Sequence, residues 1–198
     1  MRRGLQPRSR GSGRAALLAL DLITDFDFPD GPAVRRALSR HVAAICALFE
    51  AARAHRVPVI YANDNLGAWR SDAPSLIARC IEPQRPGAPL VKQLAPAQDD
   101  DIVLKPRHSA FFGTALETLL DDQKIDTLVV LGISAESCVW MTACDAHTRG
   151  FRLVVPADTM AGASNRALRA TLTGLEEVLG ARVPAQARSL RFTSGKLR

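Results

Sequence analysis

Residues 128–150, LVVLGISAESCVWMTACDAHTRG, constrain the fold of this chain more than any other stretch. Leu128-Val129-Val130-Leu131 is a continuous apolar run, which reads as a strand covered on both faces. Gly132 ends it. From Ser137 to Arg149, Val139, Thr142, Ala143 and Ala146 recur at helical spacing, and Gly150 closes the segment. Cys138 therefore sits where a buried strand feeds a helix. A thiol in the first turn of a helix meets unpaired N–H groups and the positive end of the dipole. Both favour a thiolate over the ordinary thiol, which is only about 3% ionised at pH 7. The same N–H groups stabilise an oxyanion formed when sulfur attacks a carbonyl. A small apolar residue packed at the junction is the other role open to Cys138.

Similar units recur along the chain. Ala16–Leu22 reads as a buried strand, and residues 33–55 as one long helix with an apolar face at 34, 38, 42, 45, 48, 49 and 52. Val57–Ala62 is a second strand and Ile102–Leu104 a short third. Between them, residues 63–101 form a Pro-, Gly- and Asp-rich excursion with one short helix at Ser75–Cys80, a length typical of functional loops. Thr114–Asp122 reads as a helix capped by Thr114 with Glu117 in the capping-box position. Thr127–Leu131, Phe151–Val155 and a short strand near Ser189–Phe192 are further strands, and Asn165–Leu179 is the last helix. Strands alternating with helices predict a single-domain, doubly wound (Rossmann-like) α/β fold with a mainly parallel sheet and helices on both faces.

The 198 residues suffice to bury about 70% of the unfolded surface in one domain. The net charge of +6 is unevenly placed. Residues 1–14 hold five Arg, and residues 181–198 hold four Arg and one Lys, neither with any acid. Residues 15–180 are thus left with −4. The basic ends, without interleaved aromatics, predict solvated tails more than a nucleic-acid surface. Residues 1–14 are expected to be disordered, with the domain spanning 15–198. No window reaches the roughly 18 apolar residues of a membrane span. Cys46, Cys80, Cys138 and Cys144 form no CxxC or CxxH spacing. They read as reduced thiols of a cytoplasmic protein.

In doubly wound sheets the site lies beyond the carboxyl ends of the strands. Asp21, Asn63 to Asn65, Lys105 and Cys138 all fall there. A carboxylate beside a thiol can take its proton and return it to a leaving amine. An ammonium at Lys105 favours the ionised forms of both. Alone, Asp21 reads as a structural or capping carboxylate and Lys105 as a solvated strand end; together the three suggest chemistry. Asn65 and Trp69, in the long loop, and His108 and Phe112, beside Lys105, are candidate pocket residues.

ALLALDLITDF (16–26), VLKPRHSAFFGT (103–114) and LVVLGISAESCVWMTACDAHTRGFRLVVPAD (128–158) resemble three blocks of the isochorismatase-like cysteine hydrolase superfamily, which includes nicotinamidases and N-carbamoylsarcosine amidase. The resemblance places the Asp–Lys–Cys triad on Asp21, Lys105 and Cys138. It implies a cis peptide at Ile133-Ser134, with the N–H groups of Ser134 and Cys138 as oxyanion donors, and an aromatic wall at Phe26. It also implies a homo-oligomer, a dimer or tetramer. The chain departs from the nicotinamidase pattern where an Asp-x-His metal element belongs. Here the residues are Asn63-Asp64-Asn65, and no His lies between His55 and His108. The expectation is therefore an enzyme with no metal and no cofactor. Glu136 stands where relatives often carry Thr or Asp and is expected to face away from Cys138.

The leading expectation is a cysteine hydrolase cleaving a C–N bond of a small amide or ureide through a thioester. One alternative is isochorismatase-type vinyl-ether hydrolysis by Asp21, with Cys138 a bystander. The other is a catalytically silent binding module acting through its basic ends.

Overall fold

The computed structural model describes residues 13–70 and 72–198. Five parallel strands form the central sheet: β1 (Ala15–Leu20), β2 (Val59–Asp64), β3 (Asp101–Lys105), β4 (Thr127–Gly132) and β5 (Arg152–Val154). Their spatial order is β3-β2-β1-β4-β5. The expected α/β fold with helices on both faces is what forms. β1 explains why. All six of its residues are buried, so both of its faces need a cover. Leu17 and Ala19 join the core under α1 (Gly31–Leu38), α2 (Val42–Ala54), α3 (Ala73–Cys80) and α4 (Ala88–Leu94). Ala16, Leu18 and Leu20 join the core under α5 (Leu116–Asp122), α6 (Trp140–Thr148) and α7 (Asn165–Glu177). Each fully buried Leu of this strand contributes about 2 kcal/mol of apolar burial.

The topology sets the location of the site. The chain winds outward from β1 through β2 to β3, then restarts on the other side of β1 with β4 and β5. The carboxyl ends of β1 and β4 consequently border the point where the winding reverses, the crevice that doubly wound sheets use for ligands. Leu20 pairs with Gly132 at this end. Gly132 has a φ of 117°, and a Cβ built on it lies 2.1 Å from the Leu20 carbonyl oxygen. That carbonyl accepts the Ile133 N–H at 3.0 Å. Gly132→Ala is therefore expected to cost more than about 2 kcal/mol, seen as a lowered urea midpoint.

Several local expectations give way to tertiary structure. The long helix over 33–55 is broken between α1 and α2. Arg40 and His41 donate to Ala37 and Leu38, three residues back, and the Ser39 hydroxyl donates to the Arg36 carbonyl at 2.9 Å. The 63–101 excursion contains α4 as well as the expected α3; Pro89 occupies its first turn, where a missing N–H costs nothing. The capping box at Thr114 and Glu117 does not form. α5 begins at Leu116, the Thr114 hydroxyl donates to the Ala110 carbonyl, and Glu117 pairs with Arg149 at 2.9 Å. The last strand is displaced into a hairpin of β6 (Phe192–Thr193) and β7 (Lys196–Leu197). The basic, disordered tail expected for 1–14 lies largely outside the described residues. Its last two members are tied down: Gly13 donates to Asp126 at 2.8 Å and Arg14 bridges to Lys196. Among the described residues no helix is long and apolar enough to cross a membrane.

Candidate active site

Asp21 follows β1 directly, in the left-handed region at φ 51°, a conformation Asp tolerates better than most residues. Its Oδ1 accepts the Asp64 N–H at 2.7 Å, at the end of neighbouring β2. Its Oδ2 lies 2.9 Å from Lys105 Nζ. Lys105 is the last residue of β3 and is 0% exposed. Its ammonium reaches under the end of β2 to Asp21, and donates to the Arg107 carbonyl at 3.2 Å and to Cys138 Sγ at 3.5 Å. Cys138 comes from a π-helical turn, Ala135–Val139, that precedes α6. This differs from the expected first turn of a regular helix, and such wide turns gather at functional sites. Three carboxyl-end residues from β1, β3 and the segment after β4 thus converge on one point.

The Ile133-Ser134 peptide is cis. Ser134, Ser137 and Cys138 line a cavity of about 350 Å³ together with Asp21, Asn63 and His108. Glu136 points out of it: its Oε1 accepts the Ala163 N–H at 2.7 Å. His108 also borders the sulfur, with Nδ1 3.7 Å from Sγ and 3.2 Å from Ser137 Oγ.

The electrostatics reverse one expectation. Burial pushes the Cys138 thiol up, the Asp21 charge adds to this, and Lys105 opposes both; the result is about 12. The resting sulfur is a thiol, because loss of solvation outweighs the nearby ammonium. Burial likewise raises the Asp21 carboxyl above its ordinary value, against the pull of Lys105 and of its hydrogen bonds. Burial is the largest single influence on the Lys105 ammonium and disfavours it, but the Asp21 charge and hydrogen bond, with Cys138 and Asp64, together outweigh it and keep the group protonated. The site therefore holds a proton on sulfur beside a carboxylate with increased basicity.

Other candidates fare unevenly. Phe26 does not form the aromatic wall. Its ring packs into the core over Gly87, where a Cβ would come within 2.9 Å of it, and Phe28, stacked on it at 6.3 Å, faces the cavity instead. Asn65 closes a turn by accepting the Gly67 N–H at 3.0 Å. Trp69 and Phe112, 76% and 60% exposed, stand outside the cavity wall. Thr24, Asp25 and Asp27, absent from the residues expected at the site, also line the cavity, and their place directly after β1 on its rim is the signal that marks them. The partners of Asp25 were not visible: Arg79 at 3.1 Å and Arg85 at 3.6 Å, from α3 and the turn beyond it.

A metal is poorly served here. Asn63 exchanges hydrogen bonds with both backbone groups of Ile23, and Asp64 accepts the Leu66 N–H at 2.7 Å. Among the described residues no group of three or more His, Cys, Asp and Glu side chains is arranged to hold a metal ion.

An α/β sheet with a cysteine, a lysine and an aspartate meeting at its switch point defines a narrow class of hydrolase-like sites. The isochorismatase domain model matches residues 15–185, and the chain belongs to the isochorismatase family of hydrolases. It is 33% identical over 171 residues to YaaI, an uncharacterized isochorismatase family protein of Bacillus subtilis (strain 168), covering 86% of this chain and 93% of that one. It is 31% identical over 170 residues to N-carbamoylsarcosine amidase of Arthrobacter sp., covering 80% of this chain and 63% of the longer amidase. The fold matches the crystal structure of a cysteine hydrolase from Pseudomonas syringae pv. phaseolicola 1448A with a TM-score of 0.72. That match covers 95% of this chain and 96% of that one at 23% identity.

Proposed function

We propose that this protein is a metal-independent cysteine amidohydrolase that cleaves a C–N bond of a small amide or ureide. The observation that carries the reading is the convergence of Asp21 and Cys138, 2.9 and 3.5 Å from the Lys105 ammonium, at the wall of a cavity sized for a small molecule. The similarity to N-carbamoylsarcosine amidase supports amide-type substrates.

The mechanism follows from the protonation states. As Sγ attacks the carbonyl carbon, its proton passes to Asp21, so no preformed thiolate is needed. Lys105 keeps its charge throughout and offsets the negative charge as it moves from the Asp21 carboxylate through sulfur to the carbonyl oxygen. The carbonyl oxygen becomes an oxyanion, held by the N–H groups of Ser134 and Cys138. Asp21 then returns the proton to the departing nitrogen, the C–N bond breaks, and an acyl thioester remains. Water, deprotonated by Asp21, adds to the thioester; the C–S bond breaks and the thiol is restored. No step requires a metal, in keeping with the engaged side chains at Asn63 and Asp64. The four free cysteines fit a reducing, cytoplasmic setting.

The test is a panel of small primary amides and ureides, read by ammonia release and by intact mass after rapid quenching. At least one member is expected to release ammonia and to leave its acyl mass on the Cys138 peptide. A panel that is inert throughout, with hydrolysis of a vinyl ether instead, would overturn the proposal.

A further inference from the structure

As its proton leaves for Asp21, Cys138 Sγ carries negative charge until it bonds to the carbonyl carbon, and Lys105 is not placed to hold that charge alone. The three protons of its ammonium face Asp21 at 2.9 Å, the Arg107 carbonyl at 3.2 Å and the sulfur at 3.5 Å, the longest of the three. On the cavity side, besides Asp21, His108 stands against the sulfur, with Nδ1 at 3.7 Å.

We propose that His108 is a further catalytic residue, which holds the Cys138 sulfur from the cavity side while the sulfur carries negative charge. The inference rests on Cys138 being the nucleophile. The surroundings leave this role to His108 among the described residues. Glu136, in the same turn as Cys138, is turned to the Ala163 N–H. Asp64, at the end of β2, accepts from Leu66 and donates its own N–H to Asp21. Asp25, after β1, is held by Arg79 and Arg85. Asp27 lines the cavity but, as an acid, would repel a thiolate.

His108 is also held in place. The segment that carries it is pinned to α6 by two bonds just beyond it. The Ser109 hydroxyl donates to Asp145, and the Ala110 N–H donates to Thr142 Oγ1 at 3.0 Å. Ser137 Oγ, 3.2 Å from Nδ1, fixes the ring from the side of the turn. A proton on Nδ1 then lies between Oγ and Sγ and shifts toward sulfur as charge develops there. A hydrogen bond to a charged acceptor of this kind speeds attack by about tenfold or more.

The experiment measures iodoacetamide alkylation of Cys138 in the full chain from pH 6 to 10, by peptide mass spectrometry, for the wild type, H108Q and H108N. Wild-type labelling is expected to keep climbing with pH beyond 9, since burial holds the proton on sulfur. His108→Gln should slow labelling at least about tenfold across pH 6–9, with an unchanged melting temperature. His108→Asn, which can present an N–H near the Nδ1 position, should recover part of the rate. Wild-type rates and profile in H108Q, or equal slowing in both variants, would overturn the proposal. A failure of the nucleophile reading shows separately, as amide turnover that survives Cys138→Ala.

Discussion

Cys138→Ala is expected to abolish amide hydrolysis, by at least about 10⁴-fold in kcat, while the protein keeps its fold. The loss should fall on kcat, because without sulfur no thioester forms and the remaining groups only bind and polarise the substrate. Stability should change by no more than about 1 kcal/mol. The Asp21–Lys105 ion pair does not need the thiol, and Asp21 retains the Asp64 N–H. Intact mass spectrometry should find no acyl adduct on the variant. Turnover that survives the substitution would instead assign the chemistry to Asp21, as in vinyl-ether hydrolysis with Cys138 a bystander.

The second large effect is on Lys105. Lys105→Met should lose activity and destabilise the fold by about 3–5 kcal/mol near neutral pH, since it leaves the buried Asp21 charge without its partner. The pH dependence has a definite sign. The Asp21 carboxyl is already raised by burial in the intact site, and Lys105 is the largest influence holding it down. Without Lys105 the folded-state value rises further. A carboxyl raised in the folded state favours folding while it is protonated, and this contribution is lost as pH climbs through the folded value. The variant should therefore be least destabilised in acid, with a urea midpoint that rises from pH 8 to pH 5 relative to wild type. A pH-independent deficit would mean that Asp21 is not the group left stranded.

The amide panel, the Gly132 substitution and the His108 labelling series probe the same site from its chemistry, its backbone and its cavity side. If Gly132→Ala is benign, the close approach of β4 to the Leu20 carbonyl does not constrain the junction that presents Cys138.

The layered fold, and the rim that Asp21, Lys105 and Cys138 share, were legible in the residues alone. Apolar runs such as 128–131 have no solvent-facing side, so they require cover on both faces, and short-range periodicity reports this directly. Once strands alternate with helices, Asp21, Lys105 and Cys138 share one rim because each follows a strand's carboxyl end. Local pattern was less reliable where a partner far along the chain intervened. Glu117 lost its cap to Arg149, the 33–55 helix broke at Ser39–His41, and Phe26 turned into the core over Gly87 while Phe28 took the cavity wall. The protonation state of Cys138 was decided wholly by tertiary structure. Helix-end reasoning sees the N–H groups that favour a thiolate, but not the burial that removes solvent from the sulfur or the Asp21 charge beside it. Solvation depends on everything packed around an atom, so only the assembled fold could establish that the sulfur rests as a thiol.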